Sequence, residues 1–128
     1  MNNDRFKFRV WDNVSKKYRH YLYLDQCGNL RYPRDRGIQG CEMVTLTDSC
    51  NYTIEQCTGD HDRRGNLIYE GDVLLIGTWR NQQRRGNVVF SDGCWWVQNK
   101  AKSIALLGSL ENEKIQIVGN IHEREAKK

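Results

Sequence analysis

Long hydrophobic runs are missing from this sequence of 128 residues. No stretch approaches the roughly 18 consecutive apolar residues that a membrane-spanning helix needs. The first ten residues, MNNDRFKFRV, also lack the apolar segment that defines a signal peptide. We therefore expect a cytoplasmic protein that has no membrane partner.

The sequence also lacks the closely spaced cysteine pairs of a zinc site. Three histidines are scattered along the chain. No C-x-x-C pair occurs among the five cysteines, which are Cys27, Cys41, Cys50, Cys57 and Cys94. This pattern predicts neither a metal site nor a bound cofactor. We interpret the cysteines as reduced thiols that act as small apolar side chains.

Apolar residues are few for the length of the chain. Only 38% of the residues are hydrophobic, and the mean hydropathy is −0.79. A chain of this size forms one domain, or one small domain with an added subdomain. Because its core will be small, we expect it to bury further surface by assembling into a homo-oligomer.

No long apolar repeat with a helical period occurs, whereas the alternation typical of strands is common. At the start, Phe6, Phe8 and Val10 predict the buried face of a strand, and Trp11 belongs to its other face. Further strand candidates are residues 17–24, 30–32, 43–46 and 52–57. Residues 33–40 begin with the only proline and predict a loop. We interpret residues 1–57 as an N-terminal β-meander subdomain.

The dipeptide Asp92-Gly93 lies between two strand-like runs, which is a strong signal for a two-residue hairpin. It predicts three cross-strand pairs: Ser91 with Cys94, Phe90 with Trp95, and Val88 with Val97. The last two pairs are assigned to the core face, and Trp96 is assigned to the opposite face with Val89.

Residues 58–76, TGDHDRRGNLIYEGDVLLI, combine two polar turns with an extended segment and a strand. Five strands are predicted from here onward: Val73–Ile76, Asn87–Ser91, Cys94–Val97, Ser103–Leu107 (or a single helical turn) and Lys114–Ile121. Together they predict a small SH3-like β-barrel over residues 58–123, with a charged tail at 124–128. The link Gly77–Gly86 is predicted to be a protruding loop.

Four motifs, in this order, resemble those of the YopX family of phage and prophage proteins. They are FRVWD at 8–12, the segment 52–76, VVFSDG at 88–93 and IVGNIHE at 117–123. The resemblance covers nearly the whole chain. It implies an SH3-like barrel, oligomers and a phage or prophage origin, and hence the cytoplasm of a bacterial host.

The same resemblance implies no established activity and no catalytic residues, because the family is largely uncharacterised. Two positions depart from its pattern. Cys57 stands where an aromatic residue is expected, and His122 stands in place of a tyrosine.

Asp60, His61 and Asp62 are the one place where a histidine and carboxylates meet in the sequence. They can be read as a general base or as two metal ligands of an enzyme. We favour the other interpretation, a solvated turn whose aspartates bind backbone amides, because no nucleophile or third ligand lies nearby. We therefore expect a non-enzymatic protein.

A concentration of positive charge follows this block. Residues 79–102 contain five basic residues and one acidic residue, a net charge of +4 that equals that of the whole chain. Arginine binds phosphate in a forked geometry and tryptophan stacks on bases. The predicted ligand-binding residues are Trp79, Arg80, Arg84, Arg85 and Trp96. They favour a nucleic acid or a nucleotide; the alternative is a polar loop with Trp96 in a subunit interface.

Tyrosines and arginines are concentrated between residues 18 and 34. Such enrichment is typical of protein interfaces, although cross-strand pairing in an exposed sheet explains it equally well. Tyr21, Tyr23 and Arg19 are the candidate contact residues. They support an alternative hypothesis, an adaptor or inhibitor that binds a host protein.

Overall fold

The computed structural model of the chain describes residues 3–78, 81–100 and 102–123. Short antiparallel strands dominate, so the protein is mainly β, as predicted. The strands are β1 (Phe8–Asp12), β2 (Lys17–Arg19), β3 (Tyr23–Leu24), β4 (Leu30–Asp35), β5 (Cys41–Thr45), β6 (Tyr52–His61), β7 (Leu67–Tyr69), β8 (Asp72–Thr78), β9 (Asn81–Ser91), β10 (Cys94–Asn99), β11 (Lys102–Leu106) and β12 (Ile115–Asn120). Within the described ranges, no helix is long and apolar enough to span a membrane.

The chain divides into two compact units. The larger unit consists of Met1–Phe8 with Glu55–Lys128, and the smaller unit is Arg9–Ile54. The strands form three sheets, with the orders β2-β1-β6-β7, β3-β4-β5 and β11-β10-β9-β8-β12. The boundaries between the units fall within β1 and β6.

The five-stranded sheet β11-β10-β9-β8-β12 organises the larger unit. One face of it, here called the inner face, packs on the hydrophobic core. The core side chains are Ile68, Leu74, Val88, Val97, Leu107 and Ile115. The opposite, outer face carries the side chains that alternate with these along each strand. All five predicted strands are present, and the segment 102–109 is a strand followed by a 3-10 turn. Closure of this sheet into an SH3-like barrel stays a prediction.

The β9–β10 hairpin has the register that Asp92-Gly93 predicts. Both turn residues have positive φ, 52° and 77°, as a type I′ turn requires. The pairs Ser91–Cys94, Phe90–Trp95 and Val88–Val97 are all confirmed. Val88 and Val97 are fully buried, also as predicted.

The prediction that Phe90 lies in the core is wrong. Phe90 is on the predicted face but is 54% exposed, and its ring meets the half-buried Trp95 edge-on at 5.0 Å. The reason is length: the hairpin continues past the core, so its tip carries core-face residues into solvent.

The prediction of a loop over Gly77–Gly86 is also wrong. β8 continues to Thr78 and β9 begins at Asn81, with Ile76 paired to Arg84 and Thr78 paired to Asn81. Every residue from 81 to 85 is polar in the sequence, so hydrophobic alternation could not reveal this strand. Backbone pairing with β8 extends it, and Trp79 and Arg80 lie outside the described residues.

The smaller unit contains the antiparallel β1–β2 pair and the sheet β3-β4-β5. Alternation predicts that Trp11 lies on the exposed face of β1, yet Trp11 is 4% exposed, and its ring meets that of Tyr18 edge-on at 5.0 Å. Phe6, assigned to the buried face, belongs to a 3-10 turn and is 61% exposed. Trp11 departs from the prediction because β1 is buried on both faces at its end, and strict alternation holds only where a strand has one buried face. Phe6 departs from it because the strand begins only at Phe8.

A strand replaces the first part of the loop predicted for residues 33–40, and a 3-10 turn at Gly37–Gln39 follows it. β4 runs through Pro33 to Asp35, and Pro33 pairs with Met43 of β5. β3 pairs only with Leu30 and Arg31, so the other edge of β4 is free of ladder bonds at the proline. A proline is tolerated at such an edge because no partner strand needs its missing N–H.

A tight corner joins β7 to β8 in the larger unit. Gly71 has φ +88°, and its carbonyl accepts a hydrogen bond of 2.9 Å from the Ile121 amide. A Cβ atom added at Gly71 would lie 2.5 Å from Oε2 of the buried Glu55. Glycine is therefore required here both for its backbone angle and for its lack of a side chain.

We expect Gly71→Ala to lower the free energy of unfolding by about 3 kcal/mol or more, because it adds displacement of a buried carboxylate to left-handed strain. Gly65→Ala is the matched control. Gly65 has φ +83°, but a Cβ atom there meets nothing within 4 Å. It should lose only about 1–2 kcal/mol. Urea unfolding measures both, and equal losses would show that the Glu55 contact is unimportant.

Candidate functional site

A cleft of about 500 Å³ lies in the larger unit, where the outer-face side chains of β9 and β10 meet the ends of β8 and β12. Asn87 pairs with Gln98 on one side and with Val73 on the other, which brings three strands to the cleft. Lys100 follows β10, and its φ of 50° marks the turn towards β11. We call this the basic cleft.

The lining of the basic cleft combines positive charge with neutral amides. Two side chains are cations, Arg85 and Lys100. Four are carboxamides, Asn87, Gln98, Asn99 and Asn120. The described lining contains no carboxylate; its remaining members are Val73, Gly86 and Ile121. Such a lining can donate many hydrogen bonds to an anion and accept a few from a polar ring.

Only one of the predicted ligand residues that the structure describes lines the basic cleft. Arg85 lines the cleft, whereas its neighbour Arg84 pairs with Ile76 and shares the core-side face of the strand. Trp96 lies on the outer face, as predicted, and its Nε1 donates a 2.9 Å hydrogen bond to the carbonyl of Ser91. Trp79 and Arg80 fall outside the described residues.

Sequence reasoning did not single out the four carboxamides. Their signal was present, since Asn87 and Gln98 occupy outer-face positions of a hairpin whose register was predicted correctly. Asn120 follows an irregularity of β12 between Ile117 and Gly119 and pairs with Asp72 of β8.

One wall of the basic cleft is held by buried polar groups. The backbone amide of His122 donates to Oδ1 of Asn120, at 2.9 Å. The imidazole Nε2 of His122 lies 2.9 Å from Oε2 of Glu55, and these residues are 6% and 1% exposed. Burial raises the pKa of the neighbouring Glu70, and the charge of Glu55 raises it further. The Glu55–His122 pair has a structural role, because neither side chain lines the cleft and the His122 amide holds Asn120, which does.

The two departures from the family pattern both occupy buried positions. His122 forms the anchor with Glu55, and Cys57 is 1% exposed on the same face of β6 as Glu55. Burial raises the pKa of the Cys57 thiol. Cys57 is the one cysteine that fits the predicted role of a small apolar side chain, because the other four are exposed.

The carboxylate of Asp62 accepts hydrogen bonds from three backbone amides, two in its own turn and one in β12. Oδ1 accepts hydrogen bonds from the amides of Arg64 and Asn66, both at 2.9 Å, and Oδ2 accepts one from Ile117 at 3.2 Å. Burial alone would raise the pKa of Asp62, but these amides outweigh it and hold the pKa below its usual range. The turn interpretation is therefore favoured, and Asp62 also fastens the turn to β12.

His61 lies near Asp4 rather than interacting with Asp60 or Asp62. Its Nε2 lies 3.6 Å from Oδ2 of Asp4. Among the described residues, no group of three or more histidine, cysteine or acidic side chains is placed to hold a metal ion.

A second cleft, of about 360 Å³, belongs to the smaller unit. Three tyrosines line it, Tyr21, Tyr32 and Tyr52, together with apolar Leu22, Pro33 and Leu46 and with Arg19 and His20. We call it the tyrosine cleft. Of the predicted interface residues, Tyr21 and Arg19 line it, whereas Tyr23 is 54% exposed and is not part of its lining.

Arg19 is fixed in the tyrosine cleft by Asp12. Its Nε donates to Oδ2 of Asp12 at 2.9 Å, and Asp12 is 3% exposed. Burial alone would raise the pKa of Asp12, but the amides of Ser15 and Val14 and the Arg19 guanidinium hold it well below its usual range. Tyr21 is 83% exposed and has φ 68°, a conformation that is uncommon for a bulky residue.

These features define a small, mainly β protein with a basic cleft on the outer face of its largest sheet. The family model described as YopX protein matches residues 7–126. The chain belongs to the YopX family, which confirms the resemblance seen in its motifs.

Two solved structures share the fold. The yopX protein from Bacillus subtilis matches with a TM-score of 0.59 and 20% identity, over 98% of this chain and 95% of that one. The protein EF1440 from Enterococcus faecalis matches with a TM-score of 0.59 and 21% identity, over 93% of this chain and 94% of that one. A search of curated proteins found no match.

We expect Asp62→Asn to lower the free energy of unfolding at neutral pH by about 1–3 kcal/mol, because it removes the charge that three amides bind. The folded pKa of Asp62 is below the unfolded value of about 3.9, so its contribution is complete above that value and is lost as the pH falls through the folded pKa. Urea unfolding should show the gap to the wild type narrowing between about pH 5 and about pH 2.

Asp60→Asn is the control, because it removes the same charge two positions away while Asp62 keeps its amide contacts. It should lose much less stability at neutral pH than Asp62→Asn. A gap for Asp62→Asn that stays constant into the acid range would contradict the role given to its charge.

Proposed function

We propose that this YopX-family protein is a non-enzymatic binding protein whose basic cleft takes an anionic ligand, either a nucleic acid or a nucleotide. One observation carries the proposal. The cleft gathers two cations and four carboxamides, and its described lining includes no carboxylate that would repel an anion.

Each part of the lining suits part of a nucleotide. The planar guanidinium of Arg85 matches two phosphate oxygens at once, and Lys100 adds a second positive charge. The carboxamides of Asn87 and Gln98 carry both donors and acceptors, which is what a base edge presents. The volume of about 500 Å³ is within the range of small-molecule sites, roughly 300–1,000 Å³.

The proposal extends to the setting of the protein. We infer a phage or prophage gene product that acts in the bacterial cytoplasm as a homo-oligomer. Several large apolar side chains are highly exposed, including Phe6 at 61%, Val14 at 72% and Ile38 at 106%, which supports self-association. Analytical ultracentrifugation of the free protein measures its oligomeric state.

We expect Arg85→Ala to weaken nucleic-acid binding roughly tenfold or more, because it removes a charge-assisted contact to phosphate. Fluorescence anisotropy with single-stranded and duplex DNA, RNA and common nucleotides, at about 50 mM and about 200 mM salt, measures the affinities. For a single strand, the slope of log K against log salt should fall by about 0.7 in the variant.

Arg64→Ala is the matched control, because it removes an exposed arginine from the 62–66 turn of the same unit. It should leave affinity and salt slope nearly unchanged. If the wild type binds none of these anions at either salt concentration, the proposal is wrong.

A second candidate function is favoured by the tyrosine cleft. An adaptor or inhibitor that binds a host protein needs exposed aromatic anchors beside a pocket. Tyr21 is 83% exposed at such a cleft, next to an arginine that Asp12 holds in place. The contact surface in this hypothesis consists of Tyr21, Tyr23 and Arg19.

We expect Tyr21→Ala to lose a captured host protein when the chain is used as bait in bacterial lysate, because the anchor at the cleft is removed. Tyr23→Ala is the comparison, since Tyr23 is exposed but does not line the cleft. Mass spectrometry identifies the captured proteins. Retention of every partner by both variants would show that this surface is not the contact.

A further inference from the structure

We propose that the basic cleft continues along the sheet into a stacking surface, so that the ligand is a single-stranded nucleic acid with a base on Trp96. This inference rests on the proposed function and narrows its ligand class. It is drawn from the order of side chains on the outer face of β9, β10 and β11.

Two rows of side chains lie next to each other on that face. The Asn87–Gln98 pair belongs to the cleft, and the next pair on the same face is Val89–Trp96. Trp96 also pairs with Leu106 of β11, so the second row is apolar across three strands. Same-face residues are two positions apart, which places the rows about 7 Å from each other.

Trp96 is held in place before any ligand binds. Its Nε1 donates to the Ser91 carbonyl at 2.9 Å, which orients the indole along the hairpin. The side chain is half-buried, while Leu106 beside it is 39% exposed. An oriented aromatic ring next to paired cations is the arrangement that single-strand binding proteins use.

The two rows distinguish a strand from other anions. A mononucleotide can occupy the cleft but leaves the Trp96 row uncovered. A duplex keeps its bases stacked inside, so they cannot lie on an indole face. A single strand meets both rows, with a phosphate at Arg85 and Lys100 and an adjacent base on Trp96.

The test compares thymidine monophosphate with short oligothymidylates, using NMR titration for the monophosphate and anisotropy for the oligomers. Trp96→Ala should weaken oligomer binding by about 5- to 150-fold and leave monophosphate binding unchanged, because stacking is lost and the cleft is intact. Trp96→Phe should restore most of the affinity. Phe90→Ala removes an exposed aromatic from the other face of the hairpin and should change neither.

Two results would overturn the stacking role of Trp96 while leaving the proposed function intact, provided that Arg85-dependent binding of the monophosphate is preserved. One is an oligomer affinity that Trp96→Ala does not change. The other is a Trp96→Ala protein that loses its self-association but binds the oligomer normally, since Trp96 would then be a subunit contact. Absence of binding to both ligands would instead overturn the proposed function itself.

Discussion

The register of the β9–β10 hairpin is the constraint on which the larger unit depends. Side chains alternate between the two faces of a strand, so a slip of one residue would exchange the faces. The turn at Asp92-Gly93 prevents that slip, because positive φ at both positions suits a two-residue link. Val88 and Val97 thereby enter the core, while Asn87 and Gln98 are presented to solvent. The core and the basic cleft are two results of one register.

A second set of interactions shapes the wall of the cleft. β12 pairs with β8, and the two residues that follow β12 are held in place. The Ile121 amide donates to the Gly71 carbonyl, and the His122 imidazole pairs with Glu55. Asp62 fastens the preceding turn to the same strand. The turn at residues 62–66 is thereby tied to the strand whose end borders the cleft. The carboxylates of Asp62 and Asp72 accept hydrogen bonds from backbone amides.

Much of the fold was predictable because its signals are local. Strand positions followed from alternation, and the hairpin pairs followed from a dipeptide. The errors have physical reasons as well. Every residue from 81 to 85 is polar in the sequence, so the extension of β9 had no hydrophobic signature. Pro33 suggested a loop, yet it lies where β4 has no partner on its other edge. Exposure of Phe90 reflects a hairpin longer than its core.

The sequence by itself determined the fold class, the family and the face on which Trp96 lies, because turn chemistry and a period of two act between near neighbours. Tertiary structure alone decided which polar residues share a site. It placed Arg84 and Arg85, which are adjacent in the chain, on opposite faces of β9. It also brought Asn120 to the cleft from β12, the edge strand of the sheet. It also paired Glu55 with His122 across 67 positions. Contacts of that range depend on how strands are ordered in a sheet, which local patterns do not encode.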